Sequence, residues 1–223
     1  MAKKKIYTSR SPTRRAKGAI VGLWLHLIGA AAYGAVTIWQ LSFLLKLDPG
    51  ATLPADYLGS DSPGFVLGFA LSALVYAASL PIYLVLFLMW VHRTNRNAHV
   101  LAPSFDMSPA WGVGWFFVPV ACLARPFEGV EKTWNISTDP TRWRSLDTPI
   151  LLRVWWGLFL GTNIVAMISS FASNDHTASG QSFGAGMTVA TMLVVVASSM
   201  ASIMLVRQLT QRQVSALSIS TFE

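Results

Sequence analysis

Four apolar runs, at 18–45, 63–90, 149–171 and 183–206, alternate with short polar stretches along the chain. Each reaches the roughly 20 residues that an α-helix needs to cross the hydrocarbon core of a bilayer. The pattern predicts an all-α membrane protein with four transmembrane helices and no sheet. Ser62 before Pro63, and Asp147 or Thr148 before Pro149, supply a capping side chain followed by a proline at the helix start. Pro81 interrupts the second run and predicts a kink. Tyr76, Ser79 and Tyr83 share the face around it, where they either meet the freed carbonyls or line a pocket. The pairs Gly18 and Gly22, Gly64 and Gly68, and Gly157 and Gly161 leave room for close helix contact, within the bundle or between subunits.

A fifth apolar stretch does not fit that pattern. Between Ser108 and Phe127 the chain reads SPAWGVGWFFVPVACLARPF. Its apolar part, 109–123, is too short for a straight crossing and is cut by Pro119, so it predicts a re-entrant or interfacial segment. In this reading Trp111 and Trp115 lie near the interface and Phe116, Phe117 and Val118 lie deepest. Gly112 and Gly114 face protein, and replacing Gly114 is more disruptive than replacing Ala102, a position read as exposed. Pro126 then opens an amphipathic helix over 126–137, with Phe127, Val130 and Trp134 on one face and Glu128, Glu131 and Lys132 on the other. Such a helix lies along the membrane surface.

Charge orients these elements. The chain carries 17 Lys and Arg against 10 Asp and Glu, a formal net charge of +7. The tail 1–17 holds Lys3, Lys4, Lys5, Arg10, Arg14, Arg15 and Lys17 without an acid, directly before an apolar run. That is a cytoplasmic flank by the positive-inside rule rather than a nucleic-acid arm. Arg14 and Arg15 loosely resemble a twin-arginine signal, but the apolar run is about twice the length of a signal core. If 109–123 re-enters, every cation except Lys46 is inside: 16 cations against six acids give +10 there, and one against four give −3 outside. A full crossing would place Arg125, Lys132, Arg142 and Arg144 outside, against the rule. The organisation is therefore a basic cytoplasmic tail (1–17), a single membrane domain (18–212) and a polar cytoplasmic tail (213–223).

Chemistry is sparse. Of the residues 53% are hydrophobic and 12% charged, and the single cysteine, Cys122, reads as a small packing residue. His26 is the lone ionisable residue inside the first run, which argues against a haem or metal role. Gly180, Ser182 and Gly184 match G-x-S-x-G with Asp175 and His176 nearby, but a nucleophile elbow needs a strand before the serine, and here a loop between spans precedes it. No carboxylate lies within a span, which weighs against ion-coupled transport. The expectation is a non-enzymatic protein with no catalytic residue, no metal and no cofactor.

Trp90, Arg93 and Asn97 form W-x-x-R-x-x-x-N, followed by Ser108, Pro109, Trp111, Gly114, Trp115 and Pro119, then Arg125, Pro126 and Trp134. This set resembles the bacterial membrane family catalogued as domain of unknown function 4328, over about residues 20 to 210 in helix order and most specifically over 90–134. The resemblance implies a multi-pass protein of the bacterial inner membrane with cytoplasmic termini, and carries no established activity. The partners expected are the lipid bilayer and either other membrane subunits or a second copy, and not nucleic acid. The role expected is a structural or accessory subunit of a membrane assembly. The alternative is a binder or conductor of a small amphiphile, lipid or ion in a cytoplasm-facing pocket under the re-entrant segment, with Arg93, Asn97, Trp111, Trp115, Arg125 and Glu128 as ligand or headgroup candidates. Arg93, Asn97, Arg125 and Glu128 are expected to converge, with Glu128 or Glu131 answering Arg93, Arg96 or Arg125.

Overall fold

Residues 7–54, 57–172 and 176–219 are described in the computed structural model. Six α-helices run through them: α1 (Thr13–Leu44), α2 (Pro63–Leu101), α3 (Pro109–Gly114), α4 (Arg125–Thr138), α5 (Ile150–Ala172) and α6 (Ala178–Ile219). Among the described residues there is no strand, only an isolated bridge between Thr52 and Thr177. Four of the helices, α1, α2, α5 and α6, are long and apolar enough to cross a membrane. Lys3, Lys4, Lys5, Asp56, Asp175 and Glu223 lie outside the described residues.

Two of these helices run well past the C-terminal ends of the apolar runs that announce them. α2 continues to Leu101 and α6 to Ile219, because the buried stripe outlasts the apolar composition: Leu205, Leu209 and Gln213 recur every four residues on the inward face of α6. Ala102 is buried, packed with Ala98, Phe105, Ile136 and Trp143, so the expected exposure of that position is corrected. The polar composition around it concealed a small apolar cluster beneath the loop.

The contacts divide the chain into two compact units. One comprises 1–22, 83–156 and 201–223; the other 23–82 and 157–200. Inside the second unit, the His26 imidazole hydrogen-bonds the Ser79 hydroxyl at 2.9 Å, and Ser79 Oγ donates to the Tyr76 carbonyl at 2.6 Å, just before the proline at 81. Gly29 lets α1 lie against the Tyr76 backbone, where a Cβ would come within 3.1 Å. Ala30, Met192 and Val195 form a small buried cluster.

The first unit contains the broken segment. Ser108 caps α3 by accepting a hydrogen bond from Trp111 N, and Pro109 starts it, as the sequence predicts. Trp115–Phe117 and Ala121–Leu123 are single 3-10 turns on either side of a sharp reversal. Its pivot is Val120, at φ 64 and ψ −50, with Ala121 N donating to Pro119 O at 2.7 Å. This is the rare γ-turn with positive φ, and it is strained for a β-branched residue. The side chains of Phe117, Val120 and Leu123 are exposed around this reversal, and Trp156 Nε1 donates to Leu123 O at 3.1 Å, fixing the returning end to α5.

Only some of the glycines stand at close contacts. A Cβ on Gly22 would lie 2.9 Å from the Tyr83 Cα, whereas among the described residues Gly18 meets only Leu86 at 3.6 Å, and Gly64, Gly68 and Gly157 have nothing within 4 Å. Gly161 barely reaches Val194 at 4.0 Å. Gly22→Ala should therefore lower the thermal midpoint in detergent, since backbone must shift to admit the methyl. Gly64→Ala should raise it or leave it unchanged, because alanine favours a helix by about 0.5–1 kcal/mol with no clash here.

Candidate functional site

Three groups of polar residues occupy the first unit. The innermost is a hydrogen-bonded hub. Asn97 is fully buried, and its Nδ2 donates to Gln213 Oε1 and to Arg10 O, both at 2.9 Å, while its Oδ1 accepts from Arg10 N at 3.2 Å. Gln213, also fully buried, donates through Nε2 to Thr94 O at 2.9 Å and to Ser137 Oγ at 3.3 Å. One turn away, Trp90 Nε1 donates to Thr210 Oγ1 at 3.0 Å. The spacing explains the motif: Trp90, Thr94 and Asn97 fall on one face of α2, and Thr210 and Gln213 on one face of α6.

The second group is a cleft of about 300 Å³ lined by Trp111, Trp115, Arg125, Glu128, Lys132 and Asp106. Arg125 and Lys132 each approach Glu128 at 2.8 Å, and Lys132 also reaches Asp106 at 3.5 Å. Arg125 lies over the Trp115 ring, 5.8 Å from its centroid, and the two indoles are 4.5 Å apart. Every cation here has a carboxylate. The Lys132 ammonium, with the Arg125 guanidinium beside it, holds the Glu128 carboxyl below its ordinary range. Glu131 instead accepts a hydrogen bond from the Thr148 hydroxyl.

The third group is a groove of about 510 Å³ between the first turns of α1, α2 and the underside of α3. Its wall is made by Val85, Leu88, Met89, Val113 and Phe117, and its other end by Arg15, His92 and Arg93. Arg15 Nη1 donates to the Met89 thioether at 3.3 Å, and Arg93 Nη1 is buried with no hydrogen-bond partner among the described residues. Arg93 also feels the positive charges of Arg10, Arg96 and Arg15. Among the described residues, no carboxylate lies within 4.0 Å of any of these four arginines.

The six residues singled out from sequence thus part company. Trp111, Trp115, Arg125 and Glu128 share the cleft, Arg93 belongs to the groove, and Asn97 is bound into the hub. Glu128 answers Arg125, while neither Arg93 nor Arg96 is answered by an acid among the described residues. Gly112 faces the Asn95 amide, where a Cβ would stand 2.9 Å from Nδ2, and Gly114 faces the Trp111 ring of its own segment at 3.2 Å. Sequence reasoning missed Arg10, Arg15, His92, Thr210 and Gln213. For Gln213 a signal existed: it extends the four-residue stripe of Leu205 and Leu209 beyond the apolar run. Among the described residues, no group of three or more His, Cys, Asp or Glu gathers into a metal set.

The class so defined is an all-α protein with four membrane-spanning-capable helices and a polar unit built around a buried amide pair. The chain belongs to the family described as a domain of unknown function, DUF4328, whose model matches residues 59–211. Neither a curated protein nor a solved structure matches it significantly.

Two outcomes follow from this geometry. Gln213→Leu removes the acceptor of one Asn97 Nδ2 hydrogen and the donor to Thr94 O and Ser137 Oγ, and a buried polar group left short of a partner costs about 1–3 kcal/mol, so the thermal midpoint in detergent should fall clearly. Glu128 has a folded pKa below its ordinary 4.5, so its stabilisation is complete above that pH and is lost as pH falls through the lower folded value. Thermal melts across acid pH should therefore show wild type losing stability more steeply than Glu128→Gln; parallel curves would mean that the ion pairs contribute nothing.

Proposed function

We propose that the protein is a non-enzymatic, multi-pass component of a bacterial inner membrane, acting as a structural or accessory subunit with both termini and the polar residues of its first unit in the cytoplasm. The observation that carries the orientation is the segregation of charge. The first unit holds 16 of the 17 cations and six acids, net +10, and the second holds Lys46 and four acids, net −3. The positive-inside rule then assigns the polar residues of the first unit to the cytoplasmic side. In this frame the segment 109–123 re-enters from the cytoplasmic side, and Phe117, Val120 and Leu123 meet lipid. A subunit role accords with a polar interior whose amides bond one another, and with glycines at 64, 68 and 157 whose Cβ positions meet no described atom within 4 Å. Native mass measurement after extraction in mild detergent should find a species heavier than the 24.3 kDa chain, carrying a second copy or another protein in fixed ratio. A bare monomer at all concentrations would count against a subunit role.

A second reading, binding of a small amphiphile, is favoured by the groove under α3, which joins an apolar wall to cations that no described carboxylate answers.

A further inference from the structure

We propose that the groove beneath α3 binds an anionic phospholipid of the inner leaflet, its phosphate held by Arg15, His92 and Arg93 and an acyl chain laid along Leu88, Val113 and Phe117. This rests on the amphiphile reading and names its ligand.

The argument begins from charge without a counterion. Burying part of a guanidinium is costly unless its donors are hydrogen-bonded and its charge is compensated. Arg93 Nη1 is buried and unpartnered, and Arg15 donates to a thioether, one of the weakest acceptors a protein offers. The cleft on the other side of α3 has the same kinds of cation, yet there Glu128 and Asp106 pair with Arg125 and Lys132. The groove lacks such an acid among the described residues, so a ligand must bring the negative charge. A phosphate group fits, since its oxygens accept in the forked geometry that guanidinium groups present.

The wall then separates the sources of phosphate. A free phosphate or nucleotide would leave Leu88, Val113 and Phe117 uncovered, whereas an acyl chain covers them without leaving the bilayer. A zwitterionic lipid would bring its own ammonium group close to the Arg15 and Arg93 guanidiniums, where like charge repels it. Basic residues next to a span also attract anionic lipid from the cytoplasmic leaflet, which concentrates the ligand at the groove.

The test uses the full chain, purified in detergent, stripped of lipid and titrated during native mass measurement with phosphatidylglycerol, with phosphatidylcholine of the same chains, and with inorganic phosphate. Phosphatidylglycerol should bind at least about tenfold more tightly than phosphatidylcholine, and inorganic phosphate should not compete. Arg93→Gln and Arg15→Gln should each weaken phosphatidylglycerol binding about tenfold. Ala110→Trp, which fills the groove from an exposed position on α3, should block it, and Arg153→Gln, outside the groove, should leave it unchanged. Melting curves confirm folding; if Arg93→Gln does not fold, Arg15→Gln and Ala110→Trp carry the test. Equal binding of both lipids, blocked by Ala110→Trp but indifferent to the arginines, would overturn the phosphate assignment and leave the amphiphile reading standing. Competition by inorganic phosphate would overturn the lipid as the source. Lipid binding that ignores Ala110→Trp, or no binding at all, would overturn both.

Discussion

A carboxamide taken fully out of water must find its partners within the protein, and the side chain of Gln213 meets that constraint by drawing four stretches of chain together. It accepts from Asn97 and donates to Thr94 on α2 and to Ser137 on α4, while Asn97 holds the backbone of Arg10 on both its N–H and its carbonyl. The N-terminal approach to α1, the end of α2, the end of α4 and the end of α6 are thereby set against one another in the first unit. The apolar contacts there, from Ala98 through Ile136 to Trp143, are non-directional and would tolerate a shift that the amide bonds would not. The Trp90 to Thr210 bond repeats the same logic one turn earlier.

The broken segment obeys a related constraint. Chain that reverses in a tight turn must still satisfy its backbone groups. Ala121, Cys122, Leu123 and Ala124 all donate to carbonyls two to four residues back, and the Leu123 carbonyl accepts from Trp156. The reversal at Val120 is thus internally bonded despite its unfavourable φ. Its course leaves α3 with a paired-charge cleft on one side and, on the other, a basic groove that no described carboxylate answers. That difference, rather than the number of basic residues, distinguishes an internal ion-pair network from a place for an external anion.

Much of this architecture is legible in the sequence because membrane helices need long apolar runs and because proline and glycine mark where such runs break. The four long helices, the Ser108 cap and the helix opening near Pro126 all follow from those rules. The extensions of α2 and α6 do not, since polar residues such as Asn97 and Gln213 are buried there by pairing with each other, and pairing between residues 116 positions apart leaves no local pattern. Ala102 was misread for the same reason: its burial depends on Phe105, Ile136 and Trp143 folding over it. At the candidate sites, residue types were legible but partition was not. Arg93, Asn97 and Arg125 look alike as polar residues at an interface, and only the fold assigns one to the groove, one to the hub and one to the cleft.

The central claim is that the basic unit faces the cytoplasm and that 109–123 turns back rather than crossing. Single cysteines at Gly50 and at Ser145, both exposed, placed in a Cys122→Ser background, can be probed in intact cells with a membrane-impermeant maleimide. Gly50→Cys should label in intact cells and Ser145→Cys only after the membrane is opened. Labelling of Ser145→Cys from outside would mean that the segment crosses, and the four-span arrangement with its cytoplasmic groove would have to be given up.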